Sequence, residues 1–102
     1  MSGAAPGGGA TGEEVVRRMR IVNEKGLHAR ASAKFADTVE RFDARAEVLH
    51  GGLDAAGDSI MGLLMLAAAR GSTIEVRTRG PQAAALMDAL EALVADRFGE
   101  GM

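Results

Sequence analysis

Between Val16 and Val22, Met19 and Ile21 fall on one side of the chain and Arg18 and Arg20 on the other, the two-residue period of a half-buried strand. A helical spacing takes over at about Ala29 and runs to Phe42, with Phe35, Val39 and Phe42 at i, i+4 and i+7. Alternation returns from Ala44 to His50, and Gly51-Gly52 is a hairpin signal leading into a short strand, Leu53 to Ala56. Ser59 is a good N-cap for an apolar helix that runs on to Arg70, with Gly71 in the C′ place. Thr73 to Arg79 is the clearest strand, with Ile74, Val76 and Thr78 opposite charged residues. After Gly80, Pro81 is expected at N1 of a last helix. Its stripe of Ala83, Leu86, Met87, Leu90, Leu93, Val94 and Phe98 reads as core, ended by Gly99.

The element order is therefore β-α-β-β-α-β-α. Strands with one wet face and helices able to cover the other predict an α+β fold, a two-layer open-faced β-sandwich. Its four-stranded, mainly antiparallel sheet would be covered on one face by three helices. The domain is expected over residues 15–99, preceded by a Gly/Ala-rich tail, 1–14, that cannot offset its own ordering entropy. The helix after Ser59 is apolar on all sides, whereas a helix resting on one sheet buries a single stripe. Some of Ile60, Met61, Leu64 and Met65 should stay exposed. Loops or the tail could cover the surplus; the favoured reading is a docking patch, which the adaptable methionine side chain suits.

Composition removes several classes of function. At 102 residues with 47% hydrophobic side chains, the chain can form one core without staples. No cysteine and only two histidines leave no disulfide framework and no plausible metal centre, and no cofactor is indicated. A formal charge of −2 and three phenylalanines as the sole aromatics argue against a nucleic-acid binder. No apolar stretch approaches the ~20 residues of a membrane span, and no secretory signal opens the chain. A cytoplasmic monomer is expected.

The candidate chemistry lies at Gly26-Leu27-His28-Ala29-Arg30-Ala31-Ser32, a strand-to-helix junction. The glycine permits a sharp turn, and the backbone N–H groups of Ala29, Arg30 and Ala31 begin a helix, where no helical carbonyl satisfies them. That is an anion site. A histidine at its mouth, with a guanidinium two residues on, suits a phosphoryl group carried on an imidazole nitrogen. The competing reading makes His28 a helix cap and Arg30 a solvated charge. To attack phosphorus the ring must be neutral, and both the helix N-terminus and Arg30 disfavour a second positive charge. A carrier must also release its cargo, so the site should be shallow and open. His50, beside the hairpin, reads as structural or merely exposed.

Gly-Leu-His-Ala-Arg at 26–30 and Ser-Ile-Met-Gly-Leu-Leu-Met-Leu at 59–66, so spaced within this element order, resemble the HPr family of histidine phosphocarriers of the bacterial phosphotransferase system. The resemblance spans about Val16 to Phe98 and is nearest the proteobacterial and nitrogen-related (NPr) branches. It implies a carrier, not an enzyme. His28 would be phosphorylated on Nδ1 by phosphoenolpyruvate-charged enzyme I and relay the group to a IIA-type acceptor, with Arg30 holding it. Ser59 would match the regulatory serine targeted by HPr kinase/phosphorylase, and Ile60, Met61 and Leu64 the surface on which partners dock. One departure is Ala31, where the family usually has proline; alanine keeps the first turn and adds an N–H donor. Two other readings remain open: an interaction module without phosphotransfer, and an acyl carrier, since Asp58-Ser59-Ile60-Met61 superficially matches a phosphopantetheine site. Acyl carriers, however, are helical and strongly acidic.

Overall fold

In the computed structural model, which describes residues 13–101, the order of elements is the expected one. Strand β1 (Glu14–Arg20) is followed by helix α1 (Ala29–Glu40), the hairpin β2 (Arg45–His50) and β3 (Leu53–Ala56), helix α2 (Ile60–Met65), strand β4 (Thr73–Arg79) and helix α3 (Ala83–Ala95), with a 3-10 turn at Arg97–Gly99. The four strands form one antiparallel sheet in the order β1-β4-β2-β3. All three helices lie on one face, so the open-faced α+β sandwich is confirmed. Among the described residues no helix is long and apolar enough to cross a membrane.

The inward residues of the strands, Met19, Val48, Ala55, Ile74 and Val76, meet the stripe predicted for α3, of which Leu86, Met87 and Leu90 are wholly buried. Helix α3 packs across β1 and β4, and α1 packs against both α2 and α3. On the other face the register sets Arg18 opposite Glu75 and Glu47 opposite Arg77, cross-strand pairs of opposite charge that suit a wet surface.

Several boundaries differ from expectation, most of them for a tertiary reason. Strand β1 starts at Glu14, inside the segment read as tail, because Glu14 pairs with Arg79 and the Glu13 carbonyl accepts the Gly80 N–H at 3.1 Å. The rest of that tail, 1–12, lies outside the described residues. At its other end β1 stops at Arg20, since Ile21 turns to exchange hydrogen bonds with the 71–72 turn: its N–H reaches Ser72 O and its carbonyl accepts the Gly71 N–H. Helix α1 stops at Glu40 instead of Phe42, which is half-buried.

The larger correction concerns the helix after Ser59, expected to reach Arg70 but ending at Met65. Ala67 adopts φ +54°, a left-handed conformation that costs a non-glycine residue roughly 1–2 kcal/mol. Long-range bonds offset it. The Leu66 carbonyl accepts from His50 Nδ1 at 2.9 Å, the Ala68 carbonyl accepts the Leu27 N–H at 2.9 Å, and both Leu66 and Ala68 are buried. The chain here leaves the helix to brace the loop that precedes His28. Likewise Pro81 is not at N1: residues 80–83 form a turn, Gln82 caps α3, and its side chain and backbone are both bonded to Asp43. Phe98 is buried as expected, but from the 3-10 turn and not from α3.

Candidate functional site

The site is assembled by the loop from Ile21 to Leu27. Asn23 is fully buried, and its Nδ2 donates to the Gly26 carbonyl at 2.8 Å while the Gly26 N–H returns to Asn23 O. Gly26 has φ +68°, and a Cβ placed on it would lie 2.5 Å from the Ala68 carbonyl oxygen. Only glycine fits there. Leu27, buried and tied to Ala68, then hands the chain to His28, whose backbone is extended (φ −79°, ψ −174°) and which is the N-cap of α1.

The cap reading of His28 holds, and its geometry does not displace the other reading. Its Nδ1 accepts the Arg30 N–H at 3.2 Å, which makes the ring a true cap. The same bond aims the Nδ1 lone pair at the unsatisfied start of the helix, where an anion would sit. Ala31, expected to offer its amide to the anion, has no exposed surface in side chain or backbone and does not line the cleft; Ser32 Oγ donates to the Leu27 carbonyl at 3.2 Å and locks the first turn. Ala29 and Arg30 are exposed. An open cleft of about 470 Å³ runs past these residues, lined also by Glu24, Lys25, Lys34, Gly99 and Glu100.

The ring is less open than a shallow site would make it. The His28 side chain is 26% exposed, because its Nε2 is covered by the Glu100 carboxylate, with which it forms a hydrogen bond through Oε2. The other Glu100 oxygen accepts from Asn23 Nδ2 at 3.0 Å. Burial pushes the Glu100 carboxyl up, but the hydrogen bonds from Asn23 and His28 and the charge of Lys25 outweigh it and hold the group below the usual carboxylate range. Glu100 is carried back to the site by a strap in which Arg97, Phe98 and Gly99 all have positive φ. Two anchors fix the strap: Phe98, with no exposed surface, and Lys34 Nζ, which donates to the Phe98 carbonyl at 2.6 Å.

The structure places His28 and Arg30 at the helix start, as the sequence implied, and brings Glu100, Asn23 and Lys34 beside them, which the sequence did not. Asn23 read as part of the turn, and Glu100 follows the glycine that marks a helix end, so no spacing pointed to it. Ser59 is the N-cap of α2, its Oγ accepting the Gly62 N–H at 3.0 Å. Beyond it Met61 and Met65 are more than two-thirds exposed, Ile60 is exposed and Leu64 half-buried, so the surplus apolar surface predicted for this helix is present. His50, bonded to Leu66 O, is structural.

Known proteins share both the sequence and the fold. The PTS-HPr family model, described as the PTS HPr component phosphorylation site, matches residues 15–96. A phosphocarrier protein HPr of Cupriavidus necator is 47% identical over 85 residues, covering 83% of this chain and 96% of that one. A phosphocarrier protein NPr of Shewanella violacea is 42% identical over 84 residues, covering 82% and 92%. Among solved structures, HPr-C-His from Thermoanaerobacter tengcongensis superposes with a TM-score of 0.79 at 30% identity, over 88% of this chain and 99% of that one. With the junction histidine, the sheet order and these relatives in agreement, the chain belongs to the HPr family of phosphocarrier proteins of the phosphotransferase system.

Proposed function

We propose that His28 Nδ1 is the atom that carries the phosphoryl group, received from phosphoenolpyruvate-charged enzyme I and passed to a IIA-type acceptor. One observation carries this reading: Nδ1 accepts the Arg30 N–H at the N-terminus of α1. In the neutral ring it bears a lone pair and no proton. In the transfer that lone pair forms the new N–P bond as the donor's bond to phosphorus breaks, the electron pair staying on the donor. The Arg30 N–H turns from the ring nitrogen to a phosphoryl oxygen, and the amides of the first turn, the helix dipole and the Arg30 guanidinium offset the charge of the cargo. Ala29 and Arg30 are exposed and His28 lies with them on an open cleft, so a partner can complete the transition state and take the group away. The protein is then a substrate of enzyme I, not a catalyst.

Ile60, Met61 and Leu64 would form the docking surface, supported by their apolar character and the exposure of Ile60 and Met61. Phosphorylation of Ser59, by HPr kinase/phosphorylase where one exists, would place about two negative charges beside Asp58 at the edge of that surface and obstruct docking. Incubation with enzyme I and phosphoenolpyruvate tests the central reading. The expected product is one acid-labile, base-stable phosphate, lost in His28→Ala. A wild-type chain that takes no phosphate from a competent donor would favour an interaction module working through its exposed methionines.

A further inference from the structure

We infer that Glu100 is a positioning residue for the phosphoryl acceptor: its carboxylate holds the proton of His28 on Nε2 and balances the ring once Nδ1 is phosphorylated. The inference rests on the reading of His28 as acceptor, but its geometry stands apart from it. The imidazole is bracketed by a donor and an acceptor: the Arg30 N–H points at Nδ1 and the Glu100 Oε2 at Nε2. Of the two neutral tautomers, only the one protonated on Nε2 satisfies both. The carboxylate is fixed in turn. Asn23 Nδ2 spends one proton on the Gly26 carbonyl and the other on Glu100 Oε1, which leaves Oε2 to face the ring. Asn23 has no exposed surface, and Phe98 and Lys34 hold the strap that delivers Glu100. The depressed titration of Glu100 keeps it ionised through the neutral range.

The carboxylate matters most after transfer. Nδ1 gives its lone pair to phosphorus, the donor's bond to phosphorus breaks, and the freed pair stays on the donor. Nothing removes the proton on Nε2, so the phosphorylated ring gains one positive charge. Glu100, already bonded to that proton, neutralises it in a partly buried setting. When the group moves on, the ring returns to the tautomer from which it started and needs no proton exchange with water between turnovers. This is the role an acidic residue plays behind a histidine in a hydrolytic triad, applied to a histidine that is itself the nucleophile.

Glu100→Gln keeps the shape but not the charge. A glutamine cannot meet the Asn23 amide and the Nε2–H with two acceptors, so one of the two bonds is lost. The experiment compares wild type, Glu100→Gln and Glu100→Asp by ¹⁵N NMR of the His28 ring and by the rate of phosphorylation with enzyme I and phosphoenolpyruvate; ³¹P NMR locates the phosphate on the ring. Wild type is expected as a single Nε2–H tautomer with all its phosphate on Nδ1. Glu100→Gln is expected to show mixed ring tautomers and about a tenfold fall in transfer rate, the scale of a lost hydrogen bond to a charged group. Glu100→Asp should recover part of both. Unchanged ring shifts and rate in Glu100→Gln, at unchanged urea midpoint, would overturn the inference while leaving His28 as acceptor. A wild-type chain that takes no phosphate, but whose ring tautomer still depends on Glu100, would sink the reading of His28 and leave the positioning role standing.

Discussion

Replacing Gly26 by alanine tests whether the loop that delivers His28 is held by backbone packing. Two costs arise. At φ +68° a side chain brings the left-handed penalty of about 1–2 kcal/mol, and the new Cβ must push away the Ala68 carbonyl oxygen at 2.5 Å and Ala69 Cα at 3.0 Å, an overpacking worth about 1–3 kcal/mol. Against these, alanine restricts the unfolded chain and returns about 0.4–1 kcal/mol. The expected loss is roughly 2–4 kcal/mol, a large share of the ~5–15 kcal/mol that holds a domain together. Urea unfolding should show the midpoint falling by about 1–2 M. Gly51→Ala supplies the control: its φ is +59° but no atom lies within 4 Å of the added Cβ, so it carries the backbone penalty without the clash. If the two variants melt alike, the close approach of Gly26 to Ala68 is not what fixes the loop. Phosphorylation adds a second readout, because a displaced 66–70 segment drags the Leu27 amide with it; Gly26→Ala should accept phosphate more slowly even where it is fully folded.

Glu100 should leave a signature in acid. Its folded-state carboxyl titrates below the ordinary 4.5, so the unfolded chain binds the proton more readily; the stability it supplies is complete above that value and drains away as pH falls through the folded-state value. Chemical denaturation across that window should be flatter for Glu100→Gln than for wild type, and superimposable profiles would contradict the assigned hydrogen bonds. Phe98→Ala removes a fully buried ring and should cost about 3–5 kcal/mol by thermal unfolding, with the His28–Glu100 bond weakened as the strap loosens. A loss under 1 kcal/mol would mean the strap is not anchored there. At Ser59, alanine should cost about 1 kcal/mol as a lost cap, whereas aspartate should keep most of the cap yet slow phosphorylation of His28 by enzyme I; unchanged transfer kinetics in Ser59→Asp would exclude an electrostatic block.

What the sequence revealed depended on how local the signal was. The alternation in 73–79 and the helical stripe of 83–94 report burial on one face, and that burial is what the sheet and α3 provide. The site was half legible for the same reason. A glycine, a histidine and a helix start adjoin in sequence, so the cap at His28 could be read directly. The end of α2 could not. Leu-Ala-Ala-Ala at 66–69 favours a helix locally, and only the hydrogen bonds from His50 and Leu27 pull it away. Glu100 lies seventy-two positions from His28, and its place depends on left-handed backbone at Arg97 and Phe98 that no propensity foretells.

The placement of β4 between β1 and β2 bears on how the molecule acquires its shape. Glu14 faces Arg79 across that junction, so among the described residues the first strand has no neighbour until the chain has been made through the fourth. The β2–β3 hairpin can close early, with only Gly51 and Gly52 to span, but the sheet stays in two pieces until β4 slots between them. Closing so long a loop is entropically slow, and the rate-limiting event in folding should be this insertion rather than the growth of any helix. Side-chain truncations along β4 should therefore slow refolding more than they hasten unfolding, and those on the outward face of α3 should do the reverse.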